Sequence, residues 1–246
     1  MLVDQGWDVL GSVTTSSAQR LFANAVQEIH VGHFTLDTLI EYLMSREPDL
    51  IVDATHPFAV HISKTAMIVC RQRDIPYVRY ERPSLTEAFA KNNFVWVSDL
   101  ETAASHCMKL PGNCLVATGV KVLEPFLDEE LRARTFFRFL KTELAVAICK
   151  KYRLAPENIW WDEPNPPKEA VEKFLRHHRI RNAVVKDSGP QGISLALAQI
   201  CPQTGVCLFI LERTKLDYPV VCHNARQLEE HIKRLHQAVS HGQRIS

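Results

Sequence analysis

Short apolar runs alternate with stretches of helical period along most of the chain, and this alternation restricts the fold more than any other feature. Strands are predicted over residues 9–13, 29–31, 50–52, 76–80 and 94–97. Helices are predicted over 18–25, 36–43, 57–71 and 100–108, the second from Leu36, Leu39, Ile40 and Leu43 at helical spacing. The first residues look like the last turn of a helix capped by Gly6. Strands that alternate with helices build a parallel sheet with helices on both faces.

The same grammar resumes beyond residue 113, with strands over 114–118, 136–140, 158–161, 183–185 and 206–211. Helices are expected over 143–152, around Ala170, Val171, Phe174 and Leu175, over 193–200 and over 227–239. Pro111-Gly112 between the two series reads as a linker. The expected architecture is therefore α/β, with two Rossmann-like halves of mostly parallel sheet, residues 1–110 and 111–246.

The chain's 246 residues, 46% of them hydrophobic and 23% charged, suffice for a real core. A net charge of +1 sets up no field that would draw nucleic acid or an acidic membrane surface. There is no charged-then-apolar leader and no apolar run long enough to span a bilayer, so a cytoplasmic protein is expected. Seven scattered cysteines form no C-x-x-C pair, and eleven histidines form no H-E-x-x-H, so no metal site is expected.

Four clusters lie where predicted strands end. Asp53-Ala54-Thr55-His56-Pro57 follows the run 50–52, and its proline is placed to open the next helix. The carboxyl ends of parallel strands are where ligands sit, but Thr55 or His56 as a plain helix cap explains the residues equally well. Lys186-Asp187-Ser188-Gly189 joins a cation, a hydroxyl and a glycine that can hold a phosphate or carboxylate, or it is a solvated turn capped by Ser188. Thr118-Gly119-Val120-Lys121 has the same chemistry and the same bland reading. Arg79 and Arg82 flank a strand end as a carboxylate clamp or as surface cations.

In order and spacing these pieces resemble the precorrin-6A reductase family of cobalamin biosynthesis. The matching residues are Gly32-x-Phe34, the run Val52 through Ala59, Arg79-Tyr80-Glu81-Arg82-Pro83, Thr118-Gly119-x-Lys121, Arg138, Lys186-Asp187-Ser188-Gly189 and Glu212-Arg213. The resemblance implies reduction of one ring double bond of a tetrapyrrole, precorrin-6A or its cobalt form, with NADPH as the default cofactor and NADH as an option. It implies that Asp53, Thr55 and His56 lie at the nicotinamide as catalytic residues. Thr14, Thr15, Ala54 and Pro57 would help hold the cofactor. A cleft lined by Arg79, Arg82, Thr118, Gly119, Lys121, Arg138, Lys186, Ser188 and Gly189 would meet the substrate's acetate and propionate arms. A monomer or homodimer with no nucleic-acid or membrane partner is expected.

Three departures from the family pattern stand out. Its opening strand and Gly-Gly-Thr-type phosphate loop have no counterpart ahead of residue 9. That strand belongs in the middle of the sheet, between the strands 9–13 and 50–52, and its loss leaves both with unpaired backbone groups. The expectation is a start lying further upstream, with a rearranged sheet or a degraded copy as the alternatives. Asp162-Glu163-Pro164-Asn165-Pro166-Pro167 replaces a Gln-Gly-Pro-Phe-type turn, and Pro190 and Ala196 replace an expected glycine and lysine.

Two rival readings remain at this level. The Asp-Ala-Thr-His-Pro loop is also similar to that of dihydrodipicolinate reductases, whose second domain is an open mixed sheet. A truncated, non-catalytic tetrapyrrole-binding protein would lack cofactor binding altogether.

Overall fold

The computed structural model describes residues 2–89 and 92–240. The strands are β1 (Leu10–Val13), β2 (Glu28–Val31), β3 (Ile51–Asp53), β4 (Tyr77–Tyr80), β5 (Val95–Val97), β6 (Asn113–Ala117), β7 (Thr135–Leu140), β8 (Ile159–Asp162), β9 (Ile180–Lys186), β10 (Cys207–Leu211) and β11 (Val221–Cys222). The helices are α1 (Ser16–Phe22), α2 (Leu36–Arg46), α3 (Val60–Gln72), α4 (Leu85–Ala88), α5 (Leu100–Lys109), α6 (Glu129–Ala133), α7 (Glu143–Lys151), α8 (Lys168–His177), α9 (Gly192–Thr204) and α10 (Ala225–Ser240). Side-chain caps start several of them. Thr35 and Thr38 form a reciprocal box on α2, and Asp99 accepts from Thr102 N at 2.6 Å to open α5.

The chain divides into two compact units, 1–81 with 216–246 and 82–215. The boundary expected between residues 110 and 111 falls inside the second unit. The physical reason is strand pairing: β5 pairs in parallel with β10, so the segment that reads as the last strand and helix of the first half belongs to the second sheet. Gly112, at φ +89°, makes a tight turn rather than a linker.

The second unit is built on one six-stranded sheet, ordered β5-β10-β9-β6-β7-β8, with every pairing parallel. Its central strand β9 carries an apolar stretch, Ala183, Val184 and Val185, that is fully buried, as expected of a strand covered on both faces. Leu115 and Ile210 from its neighbours, Leu197 and Ile200 from α9, and Val171 and Leu175 from α8 share that core. Trp160 stacks on Phe174 at 4.1 Å, so this tryptophan is packing.

The first unit holds two separate parallel sheets, β1-β2 and β11-β4-β3. β1 and β3, the strands expected to flank the family's first strand, do not pair with each other, so the sheet has not closed by that rearrangement. Leu39 and Leu43 of α2 pack with Val69 and Cys70 of α3 beneath Tyr77. On the other side Val78 and Cys222 meet Leu228 and Ile232 of α10. β11 did not show in the sequence because two residues carry no period. It returns the chain to β4, where Arg79 N donates to Val220 O and Glu81 N to Cys222 O, both at 2.8 Å.

Six of the seven cysteines are buried and none is in a disulfide. Among the described residues there is no group of three or more His, Cys, Asp or Glu able to hold a metal. No helix among them is long and apolar enough to cross a membrane.

Candidate active site

In the first unit the site begins where β3 ends. Asp53 is 5% exposed, and each carboxylate oxygen accepts two hydrogen bonds. Oδ1 takes Thr55 N and Arg79 Nη1, both at 2.9 Å, while Oδ2 takes Ser63 Oγ at 2.6 Å and Tyr77 Oη at 2.5 Å. Burial pushes the Asp53 pKa up, but the bonds from Ser63, Tyr77 and Thr55 outweigh it and hold the group below the ordinary carboxylate range. Burial and the bond to Asp53 raise the Tyr77 phenol, so both groups keep their charge states at neutral pH. A carboxylate with no acceptor site left over fixes its neighbours instead of reacting.

Arg79, registered opposite Asp53 on the adjacent strand, is only 1% exposed. Its Nε donates to Glu81 Oε2 at 2.7 Å, Nη1 to Thr55 Oγ1 at 3.1 Å and Nη2 to Thr55 O at 2.9 Å. Burial opposes the charge, and Glu81 and Asp53 more than restore it. The Tyr218 ring lies 5.4 Å from the guanidinium. Each nitrogen of Arg79 thus donates inside the protein, to Asp53, Thr55 or Glu81.

These two residues hold the loop that follows. The Thr55 N to Asp53 Oδ1 bond is a local side-chain turn, and Ala59 N donates to His56 O at 2.7 Å. Pro57 therefore sits at the second position of a β-turn, where its fixed φ is favoured, and α3 starts only at Val60. Pro57 is buried, whereas Ala54 and His56 are exposed. Phe58 N donates to His56 Nδ1 at 3.2 Å, which puts the proton of the neutral ring on Nε2. The bond fixes the His56 ring as well as the backbone of the loop.

Thr14 and Thr15 follow β1, whose Val13 O accepts from Gly32 N at 2.9 Å. Thr14 is exposed, while Thr15 caps α1 by accepting from Ala18 N at 3.2 Å.

The second unit gathers the other candidates. Thr118 and Lys186 come next after registered residues Ala117 and Val185 of adjacent parallel strands. Thr118 is 6% exposed, and its hydroxyl has no hydrogen-bond partner among the described residues. Such a group costs about 1–3 kcal/mol until something satisfies it. Burial lowers the Lys186 pKa, and the charge of Lys121 lowers it further, so two ammonium groups bear on one place. Gly119, at φ +85°, turns the chain from Thr118 towards Lys121. Gly189, at φ +87°, packs so closely that a Cβ would lie 2.8 Å from Pro83 O and 3.2 Å from Arg82 Cδ. Arg82, Ser188 and Gly189 therefore stand together beside Lys186.

Arg138 does not join them. Its Nε donates to Asp162 Oδ2 at 2.9 Å and its Nη2 to Glu163 O, and the side chain is 9% exposed. The residues that depart from the family turn after β8 are the ones that engage this arginine.

Sequence reasoning assigned no role to Ser63, Tyr77, Glu81, Asp187 or Arg213. One signal was present: Tyr77 and Arg79 stand two apart on a strand and share a face, which marks a polar pair inside an apolar layer.

The family model described as "Precorrin-6x reductase CbiJ/CobK" matches residues 1–236. The cobalt-precorrin-6A reductase of Synechocystis sp. is 30% identical over 238 residues, which cover 95% of this chain and 90% of that protein. That of Priestia megaterium is 28% identical over 219 residues, covering 88% and 85%. A solved structure named CobK precorrin-6A reductase superposes with a TM-score of 0.71 at 21% identity, covering 95% of this chain and 90% of that one, a likeness of fold. The all-parallel second sheet differs from the mixed sheet that the dihydrodipicolinate reductase reading needs. On the match along nearly its whole length, the chain belongs to the precorrin-6x reductase CbiJ/CobK family.

Proposed function

We propose that this chain reduces one ring double bond of precorrin-6A, or of its cobalt form, in cobalamin biosynthesis, with NADPH or NADH as the hydride source. The observation that carries the substrate half of this reading is the buried, unpartnered Thr118 hydroxyl beside Lys186 and Lys121. That combination calls for an anionic acceptor, and the carboxylate arms of such a macrocycle supply one. Ser188 and Arg82 add donors beside it.

In the first unit the Asp53–Arg79 pair keeps the 54–58 loop rigid so that Thr55 and His56 meet the nicotinamide in one orientation. Thr14 and Thr15 would face the dinucleotide's sugar and phosphate groups. The bound dinucleotide supplies the hydride, and the protein's part is to orient it and keep water out. His56 Nε2–H is a donor suited to the carboxamide or to a developing negative charge on the substrate.

The test is to follow dinucleotide oxidation by its nicotinamide absorbance while cobalt-precorrin-6A and precorrin-6A are added in turn. Substrate-dependent oxidation is the expected result. Tetrapyrrole binding without oxidation of either dinucleotide would make the chain a binding protein and sink the reductase reading.

A further inference from the structure

Arg213 lies two residues beyond β10 and is 15% exposed, yet its guanidinium ties two separate stretches of the second unit to its own. Nε donates to Asp187 O at 3.0 Å and lies 3.1 Å from Asp187 Oδ2. Nη1 donates to Arg82 O at 2.7 Å, and Nη2 donates to Pro83 O at 2.8 Å. Asp187 extends the web. Its Oδ1 accepts from Leu85 N at 2.9 Å and from Gly189 N at 3.3 Å, and its own N–H donates to Leu211 O at 3.0 Å.

The pair therefore fixes Lys186, Ser188 and Gly189 on one side and Arg82 and Pro83 on the other. Gly189 is the seam: only a residue without Cβ lets the turn lie against Pro83 O. The same device holds the first unit's loop, where Asp53 and Arg79 also come from adjacent strand ends. A planar fork with donors in fixed directions reaches the Asp187 carboxylate and the carbonyls of Asp187, Arg82 and Pro83 at once, four acceptor atoms against the three N–H groups of an ammonium.

We infer that Arg213, acting through Asp187, is the positioning residue that sets substrate affinity, by holding Lys186, Ser188 and Arg82 ready for a carboxylate arm. It need not touch the substrate. Without it the turn must be ordered when substrate arrives, and that ordering is charged against binding. The inference rests on the reading that the Lys186 turn takes a substrate carboxylate, and its test separates the two.

The experiment compares Arg213→Lys, Asp187→Asn and Lys186→Ala with the unaltered protein, alone and with Lys186→Ala combined with each of the other two. KM for the tetrapyrrole, Kd for the dinucleotide and Tm are measured for each. Arg213→Lys and Asp187→Asn are each expected to raise KM by roughly 10- to 100-fold. Dinucleotide Kd should stay unchanged, and each double variant should be less impaired than the product of its singles, because the effects share Lys186. Unchanged KM with a lowered Tm in both positioning variants would overturn the inference and leave a purely structural pair. If Lys186→Ala keeps its KM while Arg213→Lys and Asp187→Asn raise theirs, the carboxylate reading of Lys186 falls and the positioning by Arg213 stands. Should Arg213→Lys fail to fold, Asp187→Asn decides by the same measurements.

Discussion

Asp53 and Arg79 show why a charged residue at a strand end is ambiguous until its partner is known. Both were conspicuous in the sequence, but the sequence did not show that register sets them against each other, with Ser63 and Tyr77 closing the remaining acceptor sites. Removing one member of a buried pair strands the other charge, at about 3–5 kcal/mol. Arg79→Met is therefore expected to lose that much stability by urea unfolding, and unchanged stability would contradict the pairing. Because folding depresses the Asp53 pKa, its contribution is complete above the ordinary carboxylate range and is lost as pH falls through the depressed value. The stability gap between the unaltered protein and Asp53→Asn should accordingly be wide at neutral pH and close in acid. Lys186 runs the other way. Burial and Lys121 lower its pKa, so carboxylate binding should weaken as pH rises, starting below the range of a solvated lysine. Lys186→Ala should flatten that alkaline limb of the KM profile.

At the scale of elements, the strand ends were legible and the loops were not. Apolar runs located most strands to within a residue or two, because a strand covered on both faces is mostly apolar. The loop after β3 was legible in composition and not in geometry: Pro57 suits the first turn of a helix and the second position of a β-turn equally, and the bonds to Asp53 and His56 O decide for the turn. Glycines at positive φ divide in the same way. Gly119 has nothing within 4 Å of a built Cβ, whereas Gly189 faces Pro83 O at 2.8 Å. Alanine at either position meets backbone strain, and at Gly189 it also meets the carbonyl. Gly189→Ala should therefore lower Tm more than Gly119→Ala and raise the tetrapyrrole KM; equal effects on Tm would contradict the close approach.

For the molecule as a whole, the parallel α/β class and the repetition of a strand–helix pattern could be read directly, since that alternation admits few other folds. The division into units could not. It depends on which strand β5 joins and on a return through the two-residue β11 and α10, contacts far apart in sequence that local periodicity does not encode. Ending the chain at Lys215 would remove Cys222, Leu228 and Ile232 from Val78 and leave the β4 edge unpaired. Such a variant should bind dinucleotide poorly while retaining the second unit's sheet, seen as a lowered first transition on heating; an unaltered melting profile would contradict the division.

The central claim is that a buried hydroxyl and two lysines in the second unit receive a substrate carboxylate, apart from the dinucleotide. The most direct measurement is the pair of constants KM for cobalt-precorrin-6A and Kd for the dinucleotide in Lys186→Ala. Loss of one charge-assisted contact predicts a KM raised by about tenfold or more with Kd unchanged. A KM at its original value, or a loss confined to dinucleotide binding, would contradict it.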